Sequence, residues 1–285
     1  AAIAPLPPAT VTSIPESRRF RFKTKVLGRP LTTDQLEHER LSNTTALAVF
    51  SSDALSSTAY ASEEILLTLM LAGVGSLAFN LVLPITIAMV LVLTILVFSY
   101  RQTIKAYPSA GGAYIVTKDN LGLVPAQVAG VALLTDYILT VAVSVSAGVA
   151  ALYSAFHGLY PYRVPIALAF IAVICIGNLR GVKESGKVFA VPTYAFIFAM
   201  FLMIITGICR AVFGGGLAHV VPEDPAALEM TGAAGIVLLL HAFASGGAAM
   251  TGVEAISNGV PAFKPVEWKH ARETLTIMGL SLIHI

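Results

Sequence analysis

Charged side chains are scarce in this chain of 285 residues, since only 12% of them are Asp, Glu, Lys or Arg. A soluble domain usually carries about 25% charged and about 45–50% apolar residues, whereas 56% of this chain is apolar. The mean hydropathy of +0.80 agrees with this difference. The composition therefore excludes an ordinary soluble domain and predicts an integral membrane protein.

Cysteine is scarce as well: Cys175 and Cys209 are the only two, and both lie in apolar runs. They form no C-x-x-C motif, which argues against a disulfide framework and predicts free, buried thiols. We also find no Ser/His/Asp constellation, no His and Cys cluster for a metal and no phosphate-binding glycine loop. We therefore expect no enzyme, no resident metal or other cofactor, and no nucleic-acid partner.

Six apolar stretches are long enough to cross a bilayer, which takes roughly 20 residues. They fall near 44–72, 78–99, 126–157, 164–179, 188–213 and 233–260, and a seventh begins near residue 273. We expect a disordered and basic cytoplasmic N-terminal tail over 1–40 and a transmembrane domain over 41–285. Because the last stretch is cut short, we also expect the chain to be truncated at its C-terminus.

The distribution of Lys and Arg predicts the orientation of these spans. With the N-terminus in the cytoplasm, sixteen of the 18 Lys and Arg residues fall in the tail and in cytoplasmic loops, as the positive-inside rule requires. We therefore expect a multi-pass protein of the cell membrane (inner or plasma membrane). The basic segment 18–40 is either solvated or in contact with anionic lipid headgroups.

Three acidic residues, Asp53, Asp136 and Glu254, lie inside otherwise uncharged apolar stretches. A lone ionisable group at membrane depth is costly, so such a residue usually has a function. Small polar residues surround Asp53 over 51–58, and three glycines precede Glu254 within 246–252. Since both compositions weaken a helix, we expect the first and sixth spans to be broken there, as in transporters that hold cations at mid-membrane.

Hydroxyl groups accompany these acids. Asp136, Thr140 and Ser144 recur every four residues and therefore share one helix face, while Thr251 lies three residues before Glu254. The structural alternatives are an unbroken helix whose hydroxyls bond to its own carbonyls, and a Glu254 that only caps the following helix. The two expected breaks are five spans apart and therefore inverted, which is typical of a five-plus-five inverted repeat.

Several motifs resemble those of a known family. Residues 107–114 (YPSAGGAY) resemble the cytoplasmic-loop signature of the amino acid/polyamine/organocation (APC) superfamily. Residues 51–57, 136–144, 179–181 and 251–258 together resemble the KimA-type potassium importers of bacteria. The resemblance implies an all-α, LeuT-like inverted-repeat fold, of which this chain holds the first repeat and the start of the second. It also implies an ion site at seven positions, namely Asp53, Tyr60, Asp136, Thr140, Ser144, Thr251 and Glu254.

Three functions stay open at this point. The first is proton-coupled potassium uptake, with the potassium ion, the proton and the lipid bilayer as partners. The second is an amino acid or cationic amine permease of the same fold, although Asp53 would repel the carboxylate of a zwitterion. The third is a non-transporting sensor or assembly subunit. We expect the first function, and a homodimer is possible.

Overall fold

The computed structural model describes residues 17–28, 40–71, 77–179, 182–214 and 232–285. These ranges are helical, apart from turns and one isolated backbone bridge between Leu41 and Phe263. The prediction of an all-α chain is therefore confirmed for the described residues.

Ten α-helices lie in the described part of the chain, and they are numbered here in chain order. Their bounds are α1 Arg18–Leu27, α2 Asn43–Leu71, α3 Leu77–Ala106, α4 Gly112–Leu121, α5 Leu123–Ala155, α6 Arg163–Leu179, α7 Val182–Phe213, α8 Gly232–Gly246, α9 Ala255–Asn258 and α10 Glu267–His284. Short 3₁₀ turns cover His157–Tyr162, Gly247–Met250 and Val260–Ala262.

Among the described residues, four helical segments are long and apolar enough to cross a membrane: Phe79–Ala106, Leu123–Ala155, His157–Leu179 and Val188–Phe213. Gly235–Met250 is a shorter apolar helix. The 29 residues of α2 would extend about 44 Å at 1.5 Å per residue, more than the roughly 30 Å of a hydrocarbon core. That α2, the broken sixth span and α10 also cross the membrane stays a prediction, as does the division at residue 41.

Helix α2 lies at the centre of the structure, where it packs against α3, α7, α8 and α10. Towards its start, Ala54 and Leu55 belong to a buried apolar cluster that includes Val253 and Leu275. Towards its end, Ile65 and Leu69 of α2 are buried against α3 and α8. This central position brings the acidic residue of α2 next to the sixth span.

The membrane-facing helices α5, α6 and α7 expose most of their large apolar side chains. Such faces are suited to lipid, where every backbone polar group is already bonded within the helix. Cys175 on α6 and Cys209 on α7 are free and exposed, so the expectation of buried thiols is wrong. An apolar run in a membrane protein faces lipid as readily as it faces the protein interior.

The predicted break in the first span is also wrong, because α2 is one continuous α-helix through Asp53. Hydroxyl groups near Asp53 bond to carbonyls of the same helix and leave its backbone hydrogen bonds intact. Ser52 donates to Val49 O at 2.8 Å, and Thr58 donates to Ala54 O at 2.9 Å. Back-bonding of this kind satisfies a hydroxyl without interrupting the helix, and packing of α2 against α3, α7, α8 and α10 stabilises the unbroken form.

The sixth span is broken, as the sequence predicted. Helix α8 ends at Gly246, a 3₁₀ turn covers Gly247–Met250, and α9 begins only at Ala255. Gly252 lies in this interruption with a φ of 83°, a conformation that glycine adopts at little steric cost. Between the halves of the span the backbone therefore leaves the α-helical path close to Thr251 and Glu254.

Two helices lie where the sequence analysis did not expect them. Helix α1 falls within the segment expected to be a disordered and basic tail, where Ser17 caps it by accepting a hydrogen bond from Phe20 N at 3.1 Å. Helix α4 occupies the connection between α3 and α5. The remainder of the predicted tail, residues 1–16 and 29–39, lies outside the described residues.

Candidate cation site

The interruption in the sixth span lies directly against the middle of α2. A Cβ atom added at Gly252 would lie 2.9 Å from Asp53 Oδ2 and 2.8 Å from the backbone nitrogen of Ala54. Both distances are below normal contact, so only glycine allows this approach without a shift of α2. The absence of a side chain at Gly252 thus places the Asp53 carboxylate at the edge of the break.

Hydroxyl groups connect α2 with both the broken span and α5. Ser57 Oγ lies 2.9 Å from Thr251 Oγ1, and Tyr60 donates its hydroxyl proton to Ser57 Oγ at 3.3 Å. On the neighbouring face of α2, Ser56 Oγ lies 3.2 Å from Ser144 Oγ of α5. Two of the predicted site residues, Tyr60 and Thr251, therefore belong to one hydrogen-bonded group.

The three predicted acids gather in the same region. Asp136 lies within electrostatic range of Asp53 and of Glu254, and Asp53 lies within range of Glu254. In the described part of the chain no Lys, Arg or His forms a salt bridge with any of them. They do not form a compact three-ligand metal cluster within the described residues either, so their shared effect is a negative potential in the space between them.

Glu254 is not the helix cap that the structural alternative required. It occupies the N-cap position of α9 but makes no capping hydrogen bond through its side chain. Its Oε1 atom is buried and has no hydrogen-bond partner among the described residues. A buried carboxylate oxygen without a donor is costly, which is why a cation or a proton is the natural partner for this oxygen.

The oxygen-bearing side chains that were predicted to share one face of α5 do so in the structure. Asp136, Thr140 and Ser144 are half-buried, whereas Ile138 and Leu139 between them are exposed. Thr140 forms no hydrogen bond with any described residue, and Ser144 bonds across to α2 rather than to its own helix. Five of the seven predicted residues thus lie on α2 and α5, with Thr251 and Glu254 completing the group from the broken span.

Three residues at this site were missed by the sequence analysis. Asn258 donates from Nδ2 to the Tyr137 hydroxyl at 2.5 Å, and Tyr137 and Tyr100 both lie within electrostatic range of Glu254. Asn258 lies four residues after Glu254, so helical spacing offered a signal for it. Tyr137 directly follows Asp136, but no pattern in the sequence connects Tyr100 of α3 with the acids.

The glycine pair of the loop signature packs against the same broken span. The backbone N–H of Gly111 donates to the Asn258 carbonyl at 3.4 Å. A Cβ added at Gly112 would collide with the Asn258 side chain. The two glycines therefore allow the start of α4 to pack closely against α9, one turn away from Glu254.

A cavity of about 580 Å³ opens beside the hydroxyl groups, between α2, α5 and α7. Ser56, Tyr60 and Ser144 line it together with Glu63, which lies further along α2 and is exposed. The rest of the lining is largely apolar. This cavity gives the predicted site residues Tyr60 and Ser144 access to a space outside the packed core.

A multi-pass helical protein in which a broken span and two adjoining helices bring three carboxylates together has the architecture of a secondary membrane transporter. The chain belongs to the amino acid permease family, whose model matches residues 41–284. It is similar to the potassium transporter KimA of Bacillus subtilis (strain 168), with 46% identity over 265 residues. The alignment covers 92% of this chain and 42% of that protein, so the chain spans less than half the length of this relative.

Family membership confirms several predictions from the sequence. The chain is part of a multi-pass membrane protein, its family is one of transporters and not of enzymes, and the family implies the LeuT-like inverted-repeat fold. The assignment of α2, α3, α5, α6 and α7 to the first repeat, and of the broken span and α10 to the second, stays a prediction. The resemblance to KimA-type importers is confirmed as well.

Proposed function

We propose that the complete protein takes up potassium across the cell membrane together with protons. The ion is held by oxygen atoms of Asp53, Tyr60, Asp136, Thr140, Ser144, Thr251 and Glu254, at the broken sixth span and the adjoining faces of α2 and α5. The N-terminus lies in the cytoplasm in this proposal. The name of the similar transporter from Bacillus subtilis supports the choice of ion.

The single observation that carries the proposal is the gathering of three carboxylates without a basic partner. Asp53, Asp136 and Glu254 act on one another electrostatically, and no described Lys, Arg or His pairs with them. At membrane depth an uncompensated carboxylate is expensive. A mobile cation would offset the repulsion, so a cation is the cargo that this arrangement favours.

The oxygen chemistry suits potassium in particular. Channels select this ion with rings of oxygen ligands that replace its hydration shell, and hydroxyl, carboxylate and freed carbonyl oxygens all lie at the break. The Thr251 hydroxyl donates to Ala248 O at 2.8 Å and therefore accepts from the Ser57 hydroxyl at 2.9 Å, which leaves one lone pair of the Thr251 oxygen available. Coupling to protons follows from the same charges, because potassium and a proton together relieve the repulsion among three acids better than either cation does alone.

A second candidate is a cationic amine permease, because the cavity of about 580 Å³ beside Tyr60 is larger than one dehydrated ion requires. A zwitterionic amino acid fits less well. Its carboxylate would need an exposed helix N-terminus, and α2 offers none at Asp53 because it is continuous there.

Replacing Asp53 by Asn in the full-length protein tests the proposal. We expect potassium uptake to fall at least about tenfold, since the change removes one charged cation partner, while the amount of protein in the membrane stays normal. Uptake is measured in cells depleted of their own potassium importers. Asp119→Asn is the matched control, because this exposed residue on α4 lies away from the acids, and it should transport normally.

The same cells distinguish the two candidate cargoes. Potassium uptake without uptake of radiolabelled amines supports the first function, and the reverse pattern supports the amine permease. Normal potassium transport by the Asp53→Asn protein would remove Asp53 from the ion site.

A further inference from the structure

A basic cleft lies between the last turns of α3 and the first turns of α10. It encloses about 470 Å³ and shares no lining residue with the cavity beside Tyr60. Its walls are Arg101, Trp268, Lys269, Arg272, Glu273, Thr276 and Ile277. Three cationic side chains and one carboxylate therefore surround it, a net charge of +2.

The cations of this cleft have no acidic partner. Arg101, Lys269 and Arg272 form no salt bridge with any described residue, and the buried Nε atom of Arg272 has no hydrogen-bond acceptor. The ammonium of Lys269 and the guanidinium of Arg272 lie 5.6 and 5.8 Å from the centre of the Trp268 ring. A buried guanidinium N–H without an acceptor is costly, and a bound anion would satisfy it.

A hydrogen bond holds the Arg101 guanidinium against α10, within one turn of Arg272. Arg101 Nη1 donates to Thr276 Oγ1 at 2.8 Å, and the Thr276 hydroxyl donates to the Arg272 carbonyl at 2.7 Å. The one carboxylate in the lining is engaged elsewhere, because Glu273 Oε2 accepts from Asn43 Nδ2 at 2.9 Å and lies 3.8 Å from His270 Nδ1. Glu273 therefore forms no ion pair with the three cations, and the lining keeps its net charge of +2.

We propose that this cleft binds a phosphate group, supplied by the headgroup of an anionic phospholipid or by a soluble phosphate anion. Two guanidinium groups match the geometry of phosphate oxygens, and the first turn of α10 adds the positive end of its helix dipole. Tryptophan beside basic residues is typical of the membrane interface, where basic pockets between membrane helices bind anionic headgroups. The inference does not depend on the proposed cargo.

Trp268 supplies the signal for a test, because it is the single tryptophan of this chain. In the full-length protein, the difference in fluorescence between the wild type and the Trp268→Phe variant gives the emission of Trp268. We expect brominated phosphatidylglycerol in mixed micelles to quench this emission at a concentration about tenfold lower than brominated phosphatidylcholine does. Lys269→Gln and Arg272→Gln should each abolish the preference, since each removes a charge-assisted hydrogen bond.

Lys105→Gln is the matched control, because Lys105 lies exposed on the same end of α3 but does not line the cleft. Its protein should keep the full preference for phosphatidylglycerol. Titration with inorganic phosphate identifies the source: competition at millimolar concentration without a lipid preference assigns the site to a soluble anion. Equal quenching by both lipids together with no effect of phosphate overturns the proposal, and so does an equal loss of preference in the Lys105→Gln protein.

Discussion

Glu254 and Thr251 lie three residues apart at the break in the sixth span, but they offer different chemistry to the site. The carboxylate of Glu254 can take up a proton, and its Oε1 atom is buried without a donor. Thr251 offers only a neutral hydroxyl, which is bonded to Ser57 and Ala248. Within the proposed function, the role of proton carrier is therefore assigned to Glu254 rather than to Thr251.

Replacing Glu254 by Gln should alter the pH dependence of potassium uptake, because the amide removes a titratable group but keeps nearly the same shape. Thr251→Ala should lower uptake across all pH values without changing the shape of the profile. Both variants are measured in the full-length protein between pH 5 and pH 8. An unaltered profile for the Glu254→Gln protein would exclude Glu254 as the proton carrier.

Gly252 is the residue at which backbone conformation and close packing coincide. Its φ of 83° is strained for other residues, and an added Cβ would meet α2 backbone at 2.8 Å. We expect Gly252→Ala to cost about 1–3 kcal/mol of stability and to impair uptake by displacing Asp53. The midpoint of thermal unfolding of the purified protein and the uptake rate are the measurements.

Gly247→Ala is the control for this change. A Cβ at Gly247 would meet only Met250 Cε, at an ordinary 3.7 Å. Its protein should keep its thermal midpoint and its activity. Equal destabilisation by the two alanines would show that the span needs glycine for flexibility in general and not for the approach to Asp53.

The short segments that precede α2 and α10 are connected to each other by backbone hydrogen bonds. Leu41 N donates to Ala262 O at 2.8 Å and Lys264 N donates to Leu41 O at 3.2 Å, so the two lead-in segments pair as a short parallel bridge. Arg40 donates to the Glu267 carboxylate beside this bridge, and each side chain is about one-third exposed. These contacts fix α2 relative to α10 at one end of the structure.

Acid should weaken this connection. A hydrogen bond from its own backbone N–H, and after it the Arg40 guanidinium, hold the pKa of the Glu267 carboxyl below its usual value of 4.5. A lowered pKa means that the contribution to stability is complete above about 4.5 and is lost as the pH falls through the folded-state value. At pH 7 we expect Glu267→Gln to lose about 0.2–1 kcal/mol, the range of exposed ion pairs.

The measurement for this prediction is the thermal midpoint of the wild-type and variant proteins between pH 7 and pH 3. The difference between them should shrink as the solution becomes more acidic. Asp119→Asn again serves as the control and should show no such trend. A difference that stays constant down to pH 3 would mean that the Glu267 charge does not stabilise the folded protein.

At the scale of the whole molecule, the structure separates a packed part from a lipid-facing part. Helices α2, α3, α9 and α10 share the main buried cluster, whereas α5, α6, α7 and the outer face of α3 expose long apolar surfaces. The acids lie where the two parts meet, between α2, α5 and the broken span. In a transporter of the inverted-repeat class, sites lie at the interface between repeats, which agrees with the position of this group.

The sequence by itself determined the class of protein, the approximate positions of its long apolar helices and the break in the sixth span. Apolar content, span length and a glycine-rich interruption are local properties, and local properties are readable along a chain. The acids could be identified for the same reason, because a carboxylate in an apolar run is unusual wherever the run packs.

Only the tertiary structure decided whether the first span breaks and which residues meet at the site. The hydroxyls around Asp53 can interrupt a helix or bond within it, and the packing of α2 against four neighbouring helices selects the continuous form. Tyr100 approaches Glu254 across 154 positions of the chain. The distance between such residues depends on how whole helices pack, which no local pattern of side chains specifies.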